Sequence, residues 1–162
     1  MGDETRVPIR SDTDIVVARQ QGRALGAQLG FSSSDLTLIA TAISEVARNI
    51  VSYATRGEII LRLVKQGSQQ GIVIIARDQG PGIPDIAQAM QDGYSTGNSL
   101  GLGLPGAKRL MDEFDIVSHL GQGTTITLKK WAVRYGAVHD SPPAVDGLGR
   151  RDKGVGRPGR LG

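Results

Sequence analysis

With 162 residues, 39% hydrophobic and 22% charged, the chain is long enough to bury a core as one domain and has the composition of an ordinary globular protein. It has no cysteine, which excludes a disulfide framework or a thiolate metal site, and His119 and His139 alone do not make a typical zinc site. Residues 133–162 hold six of the 19 Lys/Arg and three of the 16 Asp/Glu, so the net charge of +3 lies entirely there and the body is neutral. A neutral body with few aromatics and no basic helical stripe argues against nucleic-acid binding by the folded part. No stretch approaches the roughly 18 apolar residues of a membrane span. No signal-peptide pattern opens the chain, and Arg6 stands where a myristoylation motif needs Ser or Thr. A cytoplasmic protein without membrane contact is the expectation.

In chain order, Val7 and Ile9 suggest a short edge strand. From Asp12, Ile15, Ala18, Gly22, Leu25 and Leu29 recur at helical spacing and predict a helix ending near Gly30. A second helix is predicted from about Ser34 to Thr55, with Leu36, Ile39, Ile43, Val46, Ile50 and Ala54 inward and Gly57 beyond its end. Ile59–Lys65 and Ile72–Arg77 read as two strands of a hairpin joined by residues 66–71; the second is apolar throughout and should be the more central. A variable-looking segment, 84–99, precedes a helix from about Leu102 to Glu113. Phe114–Leu120 and Thr124–Trp131 then form a second hairpin around Gly121-Gln122-Gly123. Antiparallel hairpins with three helices predict an α+β two-layer sandwich, not a doubly wound parallel sheet. Beyond Tyr135 the Gly, Pro and Arg content and the lack of apolar periodicity predict a flexible tail, giving a domain at 1–135 and an appendage at 136–162.

Four stretches carry chemistry in combination. Glu45 and Asn49 stand one helical turn apart beside buried Val46 and Ile50, a polar pair at the core's edge or simply the wet side of a helix. Asp78 ends the apolar strand, where a carboxylate can accept a hydrogen bond from an amino group. Gly80 and Gly82 after it either let a flat ligand approach the backbone or make an ordinary turn. Residues 95–110, a Gly/Ser/Thr-rich loop running into a helix, offer unpaired N–H groups to phosphate. Gly101-Leu102-Gly103-Leu104-Pro105-Gly106 also fits the G-x-G-x-x-G dinucleotide motif, but no strand directly precedes it as a βαβ unit requires. A Walker A sequence and the strand-lysine, H-R-D and D-F-G set are absent. Gly123-Thr124-Thr125 opens the last strand, as a hydroxyl source for the same ligand or a plain hairpin exit.

Glu45-x-x-x-Asn49, Asp78-x-Gly80-x-Gly82, Gly101-x-Gly103 and Gly123-Thr124-Thr125 together resemble the four ordered boxes of the GHKL ATPase/kinase superfamily. The resemblance implies the Bergerat fold, a mixed, mostly antiparallel sheet with helices on one face, and it implies ATP and Mg²⁺. In its terms Asp78 binds the adenine amino group, Gly80, Gly82 and Ile83 shape the adenine pocket, and Thr125 supports the adenine contact. Asn49 holds Mg²⁺, and Glu45 is the general base or orients the attacking hydroxyl. Gly101, Leu102 and Gly103 meet the phosphates, and residues 84–99 form the ATP lid.

Within the superfamily, "DIVVARQQGRALGAQLGF", "TAISEVARNIVSYATRGEI", "DQGPGIPDIAQAMQDGYST" and "GLGLPGAKRLMDEFDI" resemble the small switch serine/threonine kinases of the bacterial stressosome, the RsbT type, over about residues 7–132. The segment after 132 departs from that compact pattern. Kinship of this kind implies phosphorylation of STAS-domain scaffold and antagonist proteins, and activation of a PP2C-type phosphatase once the kinase is released. The alternatives are an anti-sigma factor with kinase activity, an interaction module with a structural ATP site, and a histidine-kinase catalytic domain. Intact Glu45 and Asn49 argue against the module. The lack of a phosphoacceptor helix pair before residue 12 argues against the histidine kinase.

Overall fold

The structure, a computed structural model, describes residues 4–83, 85–91 and 103–132. Strand β1 (Glu4–Ile9) leads into helix α1 (Asp12–Gln28) and helix α2 (Ser33–Tyr53). Small residues let the two helices lie close: a Cβ on Gly22 would collide with Ile43 Cδ1, and one on Gly26 would stand 2.7 Å from Leu36 Cδ2. Gly30, at φ +81°, stops α1, and the Phe31 N–H turns back to the Gly26 carbonyl at 3.2 Å. Ser32 then caps α2 by accepting the Asp35 N–H at 3.1 Å. The sequence pattern carries this helix to Thr55, with Gly57 past its end. The chain instead leaves the helix after Tyr53 and takes the left-handed turn at Thr55, φ +67°. Gly57 begins the next strand, where a Cβ would meet the Arg77 carbonyl oxygen.

Strands β2 (Gly57–Gln66) and β3 (Gln69–Asp78) pair antiparallel around the two-residue link Gly67-Ser68. The link predicted at 66–71 is shorter because its polar residues continue the ladder. Strands β4 (Glu113–His119) and β5 (Gly123–Trp131) form the second hairpin, and the order is β1-β2-β3-β5-β4. The apolar run on β3 does lie at the centre and β1 at an edge, as their patterns predict. Every pairing among the described residues is antiparallel. Alternation sends Ile59 and Leu61, Ile72, Ile74 and Ala76, and Ile126 and Leu128 to one face. That face forms a single core with Ile15 and Ala18 of α1 and Ile39, Ile43, Val46 and Ile50 of α2. The result is the α+β two-layer sandwich that the sequence predicts.

Two shorter helices complete the described chain. The segment read as a lid contains α3 (Ile86–Ala89), capped by the Asp85 carboxylate, which accepts the Gln88 N–H at 3.0 Å. Helix α4 (Gly103–Leu110) packs on α2 and ends earlier than the predicted Glu113, because Glu113 opens β4. Residues 84 and 92–99 of the expected lid, and the expected tail, lie outside the described residues. Among the described residues no helix is long and apolar enough to cross a membrane.

Candidate functional site

Asp78 is the last residue of β3 and only 8% exposed, on the helix side of the sheet. Its Oδ1 accepts the Gly80 N–H at 2.8 Å. Oδ2 takes no donor among the described residues. Across the ladder Asp78 faces Thr124, itself buried, whose Oγ1 lies 2.8 Å from Ser118 Oγ. Ser118 Oγ also accepts the Ile83 N–H at 2.7 Å, and the Pro81 carbonyl accepts the Gly121 N–H at 2.9 Å. The loop after β3 is thereby stitched to the β4–β5 hairpin.

Thr125, which the resemblance assigns beside the adenine contact, pairs with Arg77 and so points to the opposite face. The hydroxyl beside Asp78 belongs to Thr124. Its neighbour Ser118 was likewise not legible in the sequence, because it enters only through the β4–β5 register. Gly80 and Gly82 read from sequence as room for a ligand, yet they also have a packing reason. A Cβ on Gly80 would lie 2.6 Å from Ala54 Cβ, and one on Gly82, at φ +84°, would lie 2.6 Å from the His119 carbonyl oxygen.

The other half of the site is on α2. Glu45, 6% exposed, accepts the Gly103 N–H on Oε1 at 3.0 Å and Arg48 Nη1 on Oε2 at 3.4 Å. Gly103 opens α4 with φ +68°, a conformation that favours glycine, so a carboxylate meets the positive end of a helix dipole. Asn49 is half-buried one turn beyond Glu45. Ala54, close to Gly80, ties the end of α2 to the Asp78 loop. Eight helical steps from Glu45 to Tyr53, the residue before Ala54, span about 12 Å. The structure thus brings Glu45 to Gly103 at one end and sets Asp78, Gly80, Gly82 and Ile83 at the other, with Asn49 on the helix between them. Gly101 and Leu102 lie outside the described residues.

This donor set fits a magnesium nucleotide. Mg²⁺ takes hard oxygen ligands and completes its shell with phosphate and water, so one asparagine oxygen suffices. No group of three or more His, Asp or Glu residues suited to hold a metal by itself occurs among the described residues.

Comparison with known proteins shows the family. Residues 10–130 match the histidine kinase-like ATPase domain family. The chain is 53% identical over 131 residues to the serine/threonine-protein kinase RsbT of Bacillus subtilis, covering 81% of this chain and 98% of that protein. It is 33% identical over 121 residues to an anti-sigma F factor of Geobacillus stearothermophilus, covering 70% of this chain and 81% of the relative. A crystal structure of the RsbU and RsbW domains of a Mycobacterium tuberculosis protein superposes with a TM-score of 0.54 at 23% identity. It covers 82% of this chain and 33% of that one, and shows the shared fold. The chain belongs to the histidine kinase-like ATPase family, as an ATP-using serine/threonine kinase of the GHKL anti-sigma type.

Proposed function

We propose that the chain is a Mg·ATP-dependent switch kinase that phosphorylates serine or threonine on STAS-domain scaffold and antagonist proteins and, when released from them, activates a PP2C-type phosphatase in the cytoplasm. The observation that carries the reading is the buried Glu45 carboxylate held against the Gly103 N–H, with Asn49 one turn away. A base and a helix end suited to phosphate thereby lie side by side.

In this reading Asp78 accepts the adenine amino group, with Gly80, Gly82, Ile83 and Thr124 around it. Asn49 would hold Mg²⁺, whose charge offsets that of the phosphates. The acceptor hydroxyl gives its proton to Glu45 as its oxygen bonds to the γ-phosphorus. The bond from that phosphorus to the bridging oxygen breaks, and ADP leaves with the electron pair. Gly101 and Leu102 are proposed to add phosphate contacts. Residues 1–135 are proposed to form the catalytic domain and 136–162 an appendage.

The test is transfer of label from radiolabelled ATP to STAS-domain proteins, with the acid stability of the product separating phosphoserine or phosphothreonine from phosphohistidine. Asn49→Ala is expected to abolish Mg²⁺-dependent transfer while the melting curve stays native. Wild-type transfer by that variant would remove Asn49 from the site. The 33% identity to an anti-sigma F factor supports a second reading, an anti-sigma factor that sequesters a sigma factor. A pull-down that recovers a sigma factor and no phosphatase would favour it.

A further inference from the structure

Lys130 is the one buried cation among the described residues, at 9% exposure. It stands on β5 opposite Ile72, on the same side as Leu128 and Ile126, at the end of the sheet away from Asp78. No carboxylate pairs with it among the described residues. Its Nζ instead donates to the Leu110 carbonyl at 3.4 Å, at the last residue of α4, where helix carbonyls lack partners and the dipole is negative. Two further bonds fasten the same corner. The Asp112 N–H reaches the Lys129 carbonyl at 2.9 Å, and the Trp131 N–H reaches Asp112 Oδ2 at 2.8 Å.

The opposite end of α4 is the Gly103 N–H on Glu45. Eight helical residues span about 12 Å and are stiff enough to move as one piece. Where Leu110 is held therefore sets where Gly103 stands. A buried ammonium bonded to a neutral carbonyl carries a desolvation cost that an apolar side chain of similar length avoids, so packing alone does not call for lysine here.

We propose that Lys130 is a positioning residue for phosphoryl transfer: it holds the C-terminal end of α4 in the register that presents the Gly103 amide to Glu45. The inference rests on the reading of Glu45 and Gly103 as the phosphate end of the site. Lys130→Met removes the donor and keeps the length, while Lys130→Arg keeps a cationic donor.

The experiment compares the full-length wild type with both variants in two measurements. Hydrogen exchange, read without nucleotide, is expected to show Gly103 and its α4 neighbours exchanging roughly ten- to hundredfold faster in Lys130→Met, as for one lost hydrogen bond to a charged group, with α2 amides unchanged. Steady-state transfer is expected to lose kcat/KM for ATP by a similar factor at temperatures well below the melt, with most of it regained in Lys130→Arg. Gly103 exchange and kinetics like wild type in Lys130→Met would overturn the proposal, as would faster exchange spread equally over α2 and β5. If Lys130→Met does not fold, Lys130→Gln, too short to reach Leu110, takes its place, and equal behaviour of the Gln and Arg variants would overturn it. Because exchange needs no ATP, it stands apart from the role of Glu45, which an absence of Glu45-dependent transfer in the wild type would refute.

Discussion

On the outer face of the sheet, charge is matched along and between strands: Arg62 and Arg6 reach Glu4 at 2.8 and 2.7 Å, and Arg6 and Arg77 reach Glu58 at 3.1 and 3.3 Å. Between the sheet and the helices, two carboxylates are buried among the described residues. Asp78 is held by the Gly80 amide, and Glu45 by the Gly103 amide and by Arg48. The two faces answer different needs. Partly exposed pairs cost little to form and contribute little each. A buried carboxylate is expensive to desolvate, so keeping one where an apolar residue would pack marks a chemical requirement. Substitutions should therefore hurt function on the inner side, and should barely register on the outer side.

The largest effect is expected at Glu45. Glu45→Gln keeps an oxygen for the Gly103 N–H but cannot take a proton, so turnover should fall by about 10²–10⁴, the range for a lost general base, while ATP still binds. Weakened ATP binding with normal turnover would make Glu45 a binding residue instead. Next in size is Asp78→Asn, which removes the charged acceptor for an adenine amino group. ATP affinity should drop roughly 10- to 100-fold, as for a charged hydrogen bond of about 1.5–3 kcal/mol. Equal competition by GTP and ATP in the wild type would show that Asp78 does not read the base.

Much of this contrast is legible in sequence, and the parts that are not share a cause. Helix α2 and strand β3 announce themselves because apolar residues recur at periods of 3.6 or fill a continuous run, and Glu45, Asn49 and Asp78 stand at fixed places in those patterns. Choosing between Thr124 and Thr125 needs the register, since neighbouring strand residues point to opposite faces and nothing local says which is inward. Ser118 and the contact between Glu45 and Gly103, 58 positions apart, arise only when distant elements meet. The early end of α2 depends on Thr55 taking a left-handed conformation that its residue type does not advertise.

That register argument gives the third prediction. Thr124→Val removes the hydroxyl that meets Ser118 beside Asp78, and should weaken ATP binding by about 0.5–1.5 kcal/mol, several-fold in affinity. Thr125→Val, on the other face, should leave binding as it is. A loss in the second variant and none in the first would restore Thr125 to the site and reverse the assignment of faces.

The smallest effect is expected on the outer face, at Glu4. Hydrogen bonds first from Arg6 and then from Arg62 hold its carboxyl below the ordinary glutamate range. A group whose folded value is depressed contributes stability above its unfolded value, and loses that contribution as pH falls through the folded one. The wild type should therefore melt slightly higher than Glu4→Gln at neutral pH, and the gap should close in acid below the usual carboxylate range. Added salt should close it too, because these side chains are exposed enough for counter-ions to screen them. ATP affinity should be the same in both proteins, since Glu4 lies on edge strand β1, on the face away from Asp78. Melts of the two proteins across pH and ionic strength, with ATP titrations alongside, decide the matter. A gap that survives acid would mean that Glu4 stabilises by something other than its charge, and a change in ATP affinity would show that the two faces are coupled through the sheet.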